Sequence, residues 1–224
     1  MARARQERAE VTRQSILDGA AEAFDSAGFG STSLSDIAQN ASVTKGALYF
    51  HFPSKSALAQ ALMADQFDVT SLLATTEQPG VQTAVDLTHQ MADALRNSVR
   101  VRAGIRLAIE LGSFTDPSPT LYNTWIDTLG NYLTPAQGRG DMKAEINVRD
   151  VAAYVVGAFT GVQITSQVRT GRADLHERVT DMWTWLLPGI VPPRRMPRFD
   201  PAGSPRVRDA LGLGDGSRHI VAAG

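Results

Sequence analysis

Cysteine is absent from the 224 residues. That excludes disulfides, thiolate metal sites and a cysteine nucleophile, and it suits the cytoplasm. No apolar run approaches the roughly 18–20 residues of a transmembrane helix. The arginines of MARARQERAEVTRQ are not followed by an apolar segment, so this stretch does not read as a signal peptide. Neither sign of charge dominates, the formal net charge being −1. In the first 55 residues Arg3, Arg5, Arg8, Arg13, Lys45 and Lys55 balance Glu7, Glu10, Asp18, Glu22, Asp25 and Asp36. Indiscriminate coating of nucleic acid is thereby excluded, and any nucleic-acid affinity must come from where the cations stand. The four histidines, His51, His89, His176 and His219, are scattered. HExxH, GxSxG and phosphate-cradling glycine motifs are all missing, and the carboxylates are dispersed. The chain therefore reads as a non-enzyme with no metal and no cofactor; a helical enzyme is the remote alternative.

What is present is concentrated in STSLSDIAQNASVTKGALYFHFPSK, residues 31–55. Ser33 is placed to cap a helix from Leu34, with Asp36 three residues on favouring its positive end. Ile37 and Ala38 face inward, Ala41-Ser42-Val43 make a break, and Val43 points to the core. Thr44 caps a second helix, Lys45 to Phe50, anchored inward by Leu48. This spacing lets two short helices cross steeply. Lys45, Gly46, Tyr49 and His51 are left outward beside Thr44. Tyr49 and Phe50, taken alone, read as core.

VTKGALYFHFPSK resembles the recognition helix and following turn of TetR-family transcriptional regulators. The resemblance implies that Thr44, Lys45, Gly46, Tyr49, His51 and Lys55 face duplex DNA, together with Arg5, Thr32 and Ser33. The chemistry agrees, because hydroxyl, ammonium and ring N–H groups donate to phosphates and a glycine lets the backbone come close. Arg5 belongs to an arginine cluster that can reach a neighbouring groove as an arm. One position departs from the family pattern: Ser42 stands where the turn usually has glycine. A non-glycine residue at positive φ costs about 1–2 kcal/mol.

Along the rest of the chain the apolar spacing is helical throughout, and no alternating strand pattern or repeat is found. Ile16, Leu17, Ala20, Ala23 and Phe24 mark a first helix over residues 8–27, ended by Gly28. A fourth runs from a cap at Ser54 towards Thr76. Further helices follow over 82–98, 101–111, 121–133, 148–168 and 175–187, with a loop from Pro135 to Asp141. The fold class is all-α, roughly nine helices. Residues 1–53 form a three-helix DNA-binding domain with a helix-turn-helix, and 54–191 a helical domain for ligand binding and dimerisation. Residues 192–224 hold five of the eleven prolines and six arginines and lack apolar density, so they read as a mobile tail. The segment Val148 to Val168 is apolar on more than one face, and Trp183 and Trp185 follow. The surplus predicts a homodimer closed by a four-helix bundle, suited to reading a twofold operator.

VRAGIRLAIE, Trp125 after the Pro117 loop, and VVGAFTGVQ resemble the γ-butyrolactone receptor branch of the TetR family. The branch implies a repressor of antibiotic production, released by a small neutral lactone or butenolide and acting in the cytoplasm on the nucleoid. It maps ligand contacts onto Trp125, Gln66 and Thr160. Val156, Phe159, Leu107 and Ile105 are apolar enough to line an alkyl tail, since a neutral lactone wants an apolar cavity with a few donors. Each polar candidate also has a plain structural reading. Trp125 fits a core, Gln66 a surface, and Thr160 a bond to its own helix. A TetR-type sensor of antibiotics or other lipophilic compounds is the alternative within regulation. The helix from Ser54 to Thr76 joins head to pocket, so it is the expected route by which ligand and DNA oppose each other.

Overall fold

The computed structural model describes the backbone of residues 2–73, 79–114 and 120–214, and the side chains of residues 6–64, 79–110 and 122–214. Every regular element among these is helical: α1 (Ala2–Ser31), α2 (Leu34–Asn40), α3 (Lys45–His51), α4 (Lys55–Leu73), α5 (Val81–Asn97), α6 (Val99–Phe114), α7 (Thr120–Gly138), α8 (Val148–Thr170), α9 (Leu175–Ile190), a 3₁₀ turn (Pro193–Arg198) and α10 (Pro205–Leu211). Contacts divide the chain into two units, Met1–Leu72 with Asn97–Leu121, and Leu73–Arg96 with Tyr122–Gly224.

The first unit is built around α1. Ile16, Leu17, Ala20 and Phe24 are buried with Ile37 of α2, Leu48 of α3, and Leu58 and Leu62 of α4. Val43 packs against this cluster from the turn. Helix α1 loses helical geometry at Gly28 (φ 77°), the stop that the sequence predicts. Ser42 stands at φ 54°, as its place in the turn requires. Ser42 N–H donates to Gln39 O at 3.0 Å and Val43 N–H to Ala38 O at 3.0 Å, which hold that turn closed.

Helix α6 belongs to this unit, whereas the sequence placed residues 54–191 together. Its Ala103 and Leu107 complete the head core. Its polar side grips α1: Arg100 Nε donates to Asp18 (2.6 Å), Arg102 Nε to Asp25 (2.8 Å), and Arg106 Nη1 to Asp25 O (2.6 Å). Glu110 accepts from Phe29 N–H at 2.7 Å. Gly28 is bare for this reason as well as for its φ, since a Cβ there would lie 2.6 Å from Glu110 Oε1. An apolar stripe in a sequence says that a face is covered, not by what.

In the second unit, Val85, Ala92 and Leu95 of α5, Leu129 and Leu133 of α7, Val151 and Val155 of α8, and Val179, Trp183 and Leu187 of α9 are buried. Trp183 Nε1 donates to Thr88 Oγ1 at 2.8 Å. Helix α7 runs through Pro135 to Gly138 instead of ending before it. Three residues past Pro135 the helix gives way to a loop that Gln137 ties down by donating to Lys143 O (3.0 Å) and Ile146 O (2.7 Å).

Residues 192–214 are packed, not a mobile tail. They need no core of their own because α5 and the α7–α8 loop supply partners. Val191 and Val207 are buried. Asp86 accepts from Ser204 N–H (2.7 Å), Gln82 exchanges bonds with the Asp200 backbone (2.8 and 3.1 Å), and Arg198 pairs with buried Asp141 (2.9 Å). His89 Nε2 meets Pro201 O at 3.0 Å, and its Nδ1 meets His176 Nδ1 at 3.3 Å. A carbonyl only accepts, so this network assigns His89 Nε2 as protonated and His176 Nδ1 as the donor to His89 Nδ1.

Burial pushes both imidazoles towards the neutral form. His89 is pushed below its ordinary value, against the pull of Asp86 and Asp200. His176 is lowered from 6.5 to about 4 by desolvation, then by His89 and Arg96, against Asp93. Between about 4 and 6.5 the unfolded chain binds protons that the folded chain refuses. The stability is therefore complete above 6.5 and declines as the pH falls towards 4. Thermal melts are expected to show the midpoint falling across this window, with a shallower fall in His176→Gln.

Candidate functional site

Helix α3 is short, and both its ends are set by local chemistry. Thr44 caps it in extended geometry, with Oγ1 accepting from Ala47 N–H at 3.2 Å. Ser33 and Asp36 form a reciprocal capping box at the start of α2. The Asp36 carboxyl is held below its ordinary value by the Ser33 hydroxyl and backbone N–H. Leu48 is the one buried residue of α3. Thr44, Lys45, Gly46 and Tyr49 are exposed together and His51 is half-buried, so these five expected DNA-facing residues share one outward region. A Cβ on Gly46 would find only Thr44 Oγ1, at 3.9 Å. Among the described residues no neighbour requires that glycine.

Three expected DNA contacts are otherwise engaged. Thr32 is buried, with Oγ1 donating to Gly28 O (2.7 Å) and Ala23 O (3.1 Å), where it closes the end of α1. Lys55 gives its ammonium to Phe29 O (2.7 Å) and Thr32 O (2.9 Å), and lies 4.4 Å from the Phe29 ring centre. A cation at the carbonyl end of α1 is favourable for the helix dipole; it locks α1 to α4 and does not reach outward. Ser33 is exposed, but its hydroxyl is committed to Asp36. The Arg5 and Gln66 side chains lie outside the described residues.

Phe50, which reads as core, is 79% exposed. The signal was its position: Leu48 already fills the inward slot of a helix this short, and residue 50 points elsewhere.

The effector candidates separate. Trp125, Val156, Phe159 and Thr160 lie in the second unit, while Leu107 and Ile105 lie in the first. Leu107 is wholly buried in the head core, so it is a packing residue there and not a wall for an alkyl tail. Thr160 donates to Val156 O at 2.8 Å, the helix-to-backbone alternative. Val156 and Phe159 are buried. Trp125 is half-buried and meets Tyr122 edge to face at 5.8 Å. The Tyr122 hydroxyl is pushed above its ordinary value by burial. Tyr122 was not singled out in the sequence; its i, i+3 spacing from Trp125 was the available signal.

A third surface lies on α8 and α9. Tyr154, Ala158, Val162 and Thr165 of α8 line a groove with Met182, Trp185, Leu186 and Gly189 of α9. Tyr154 is 61% and Trp185 84% exposed. Among the described residues α8 is long and apolar enough, by length and composition, to cross a membrane. It divides that apolarity between the core, through Val151, Val155 and Phe159, and this open groove.

Residues 16–62 match the family described as bacterial regulatory proteins, tetR family, and residues 78–192 match the tetracyclin repressor-like C-terminal domain. The A-factor receptor protein of Streptomyces griseus is 41% identical over 202 residues, spanning 89% of this chain and 71% of that protein. Crystalline full-length TylP, a TetR regulator from Streptomyces fradiae, has a TM-score of 0.75 at 36% identity, over 93% of this chain and 91% of that one. CprB of Streptomyces coelicolor, in complex with its operator sequence, gives 0.74 at 32% identity, over 93% and 100%.

Proposed function

The chain belongs to the TetR family of bacterial regulatory proteins, and on that footing we propose that it is a dimeric repressor released from its operator by a γ-butyrolactone or butenolide. It acts in the cytoplasm, on the nucleoid. The observation that carries the reading is the joint one: an outward Thr44–Lys45–Gly46–Tyr49 face on a capped helix, in a chain similar over most of its length to an A-factor receptor. A single seven-residue helix covers about 10 Å. Doubling it by a twofold axis gives two half-site visits about 34–36 Å apart, or a multiple of that. The α8–α9 groove is the surface that supplies the axis, because its bare Trp185 and Tyr154 want an apolar cover and a second copy brings the same face.

The effector site centres on Trp125 and Tyr122, with Val156 and Phe159 as buried apolar residues of the same unit. The indole and phenol offer flat walls with polar tips, which suits a neutral lactone with carbonyl and hydroxyl groups. The chain passes between the two units at residues 72–73, 96–97 and 121–122. Coupling therefore has three covalent routes, of which α4 is one. Helix α6 is another, since its arginines hold α1. Ligand and operator must weaken each other equally. Moving occupancy from 1:99 to 99:1 takes about 5.5 kcal/mol of differential affinity, which two ligands per dimer can share.

The test is Trp125→Ala. Operator affinity in a gel-shift titration is expected to stay within a few-fold of wild type, because Trp125 lies outside the head. Release by synthetic γ-butyrolactones is expected to weaken by about thirtyfold or more, roughly the 2–4 kcal/mol of a buried aromatic anchor. Normal release by the variant, or release of wild type by antibiotics and not by lactones, would show that the effector reading is wrong.

A further inference from the structure

Apart from Val11 on α1, the large exposed hydrophobic side chains among the described residues fall into two groups, one on α8 and α9 and one on α3. Tyr154, Ile164, Val168 and Trp185 lie on α8 and α9, and Tyr154 and Trp185 line the groove proposed to receive a second copy. Phe50 lies on α3, far along the sequence from that face, and is the most exposed phenylalanine among the described residues at 79%. A phenyl ring left in water has no role in holding the fold together. Its protein neighbour is the adjacent His51 ring, edge to face at 5.1 Å and 87°, which orients the ring without covering it.

Phe50 stands one helical turn after Gly46. Helical side chains lean towards the N-terminus, so the ring overhangs the turn that Gly46 leaves open. Lys45 and Tyr49 form the adjacent i, i+4 row. The outward face of α3 thus has an apolar strip, bare backbone followed by phenyl, bordered by polar groups. Phosphates offer a phenyl ring nothing. In the major groove, one base-edge feature is apolar: the C5 methyl of thymine. Given that α3 reads duplex DNA, the geometry points to Phe50 as a specificity-determining residue that packs on a thymine methyl in each operator half-site. Gly46 admits the base edge, and Phe50 closes over its methyl.

The inference rests on the regulatory reading, and the experiment separates the two. An operator is first selected from a random duplex pool. Each symmetry-related pair of thymines is then replaced by deoxyuridine, which removes the methyl and leaves every hydrogen-bonding group. Affinities are measured by fluorescence anisotropy for wild type and Phe50→Ala. Removing one buried methyl is expected to cost wild type roughly fourfold per half-site, hence roughly fifteenfold for the pair, at one thymine position. Phe50→Ala should bind thymine and uridine operators equally at that position. Its melting temperature should match wild type because the ring is exposed. Phe50→Leu should recover part of the thymine preference. A flat uridine scan in wild type, or equal uridine losses in both proteins, overturns the role of Phe50 while leaving DNA binding intact. If wild type enriches no duplex at all, the regulatory reading falls and takes this inference with it.

Discussion

Replacing Trp185 with arginine is expected to convert the protein to a monomer at micromolar concentration and to reduce operator affinity by more than a hundredfold. Trp185 is 84% exposed in the single chain, so the substitution disturbs no core and the helical circular dichroism should be unchanged. In a twofold interface the same residue is changed on both sides. Two guanidinium groups would enter a groove lined by Ala158, Val162, Met182 and Leu186 and already holding Arg178 beside Asp181, facing each other across the axis. Loss of a tryptophan anchor costs roughly 2–4 kcal/mol, and the like-charge pair adds to it. The operator penalty follows because a monomer keeps one half-site and gives up the effective concentration that makes the second visit nearly free. Sedimentation equilibrium and anisotropy on the same sample check both halves. A variant that stays dimeric would move the interface away from α8 and α9.

Lys45→Ala is expected to weaken operator binding about thirtyfold, from about 1 kcal/mol at each of two symmetry-related half-sites. Lys45 is exposed and caps no core, so stability should not change. The effect has a signature that loss of a base contact lacks. Each phosphate neutralised adds about 0.9 to the slope of log affinity against log salt, so removing two lysines lowers the slope by about 1.8. The loss should also be uniform across operator sequences. Lys55→Ala provides the contrast. Its ammonium is bound to Phe29 O and Thr32 O, so its removal should lower thermal stability and leave the salt slope alone.

The parts of the head legible in the sequence were those fixed by neighbours three or four residues away. The capping pair Ser33 and Asp36, the cap at Thr44, the stop at Gly28 and the positive φ at Ser42 are local events with local signatures. What failed depended on partners distant in the chain. Lys55 looks like a DNA-facing polar residue until Phe29 O and Thr32 O, at the end of α1, claim its ammonium. Leu107 looks like a pocket wall until Ile16, Leu58 and Leu62 surround it. Arg100 and Arg102 on α6 and the acids Asp18 and Asp25 on α1 are visible in the sequence, but their pairing across some eighty residues is not. Residues 192–214 were misread for a related reason. Composition reports whether a segment can make a core, and this one borrows its order from Gln82, Asp86, His89 and Asp141. Phe50 reads as core only when its hydrophobicity is taken alone; on a helix whose inward slot Leu48 fills, the ring stands 79% exposed.

The proposed function requires α3, doubled by symmetry, to read a duplex and to let go when a lactone fills the second unit. Selection from a random duplex pool, run at low salt with and without a synthetic γ-butyrolactone, addresses both parts at once. The expected result is a twofold-symmetric sequence, its half-site centres about one helical turn or a multiple apart, enriched without lactone and lost with it. No enrichment in either arm, or a palindrome whose recovery is indifferent to every lactone, would contradict it.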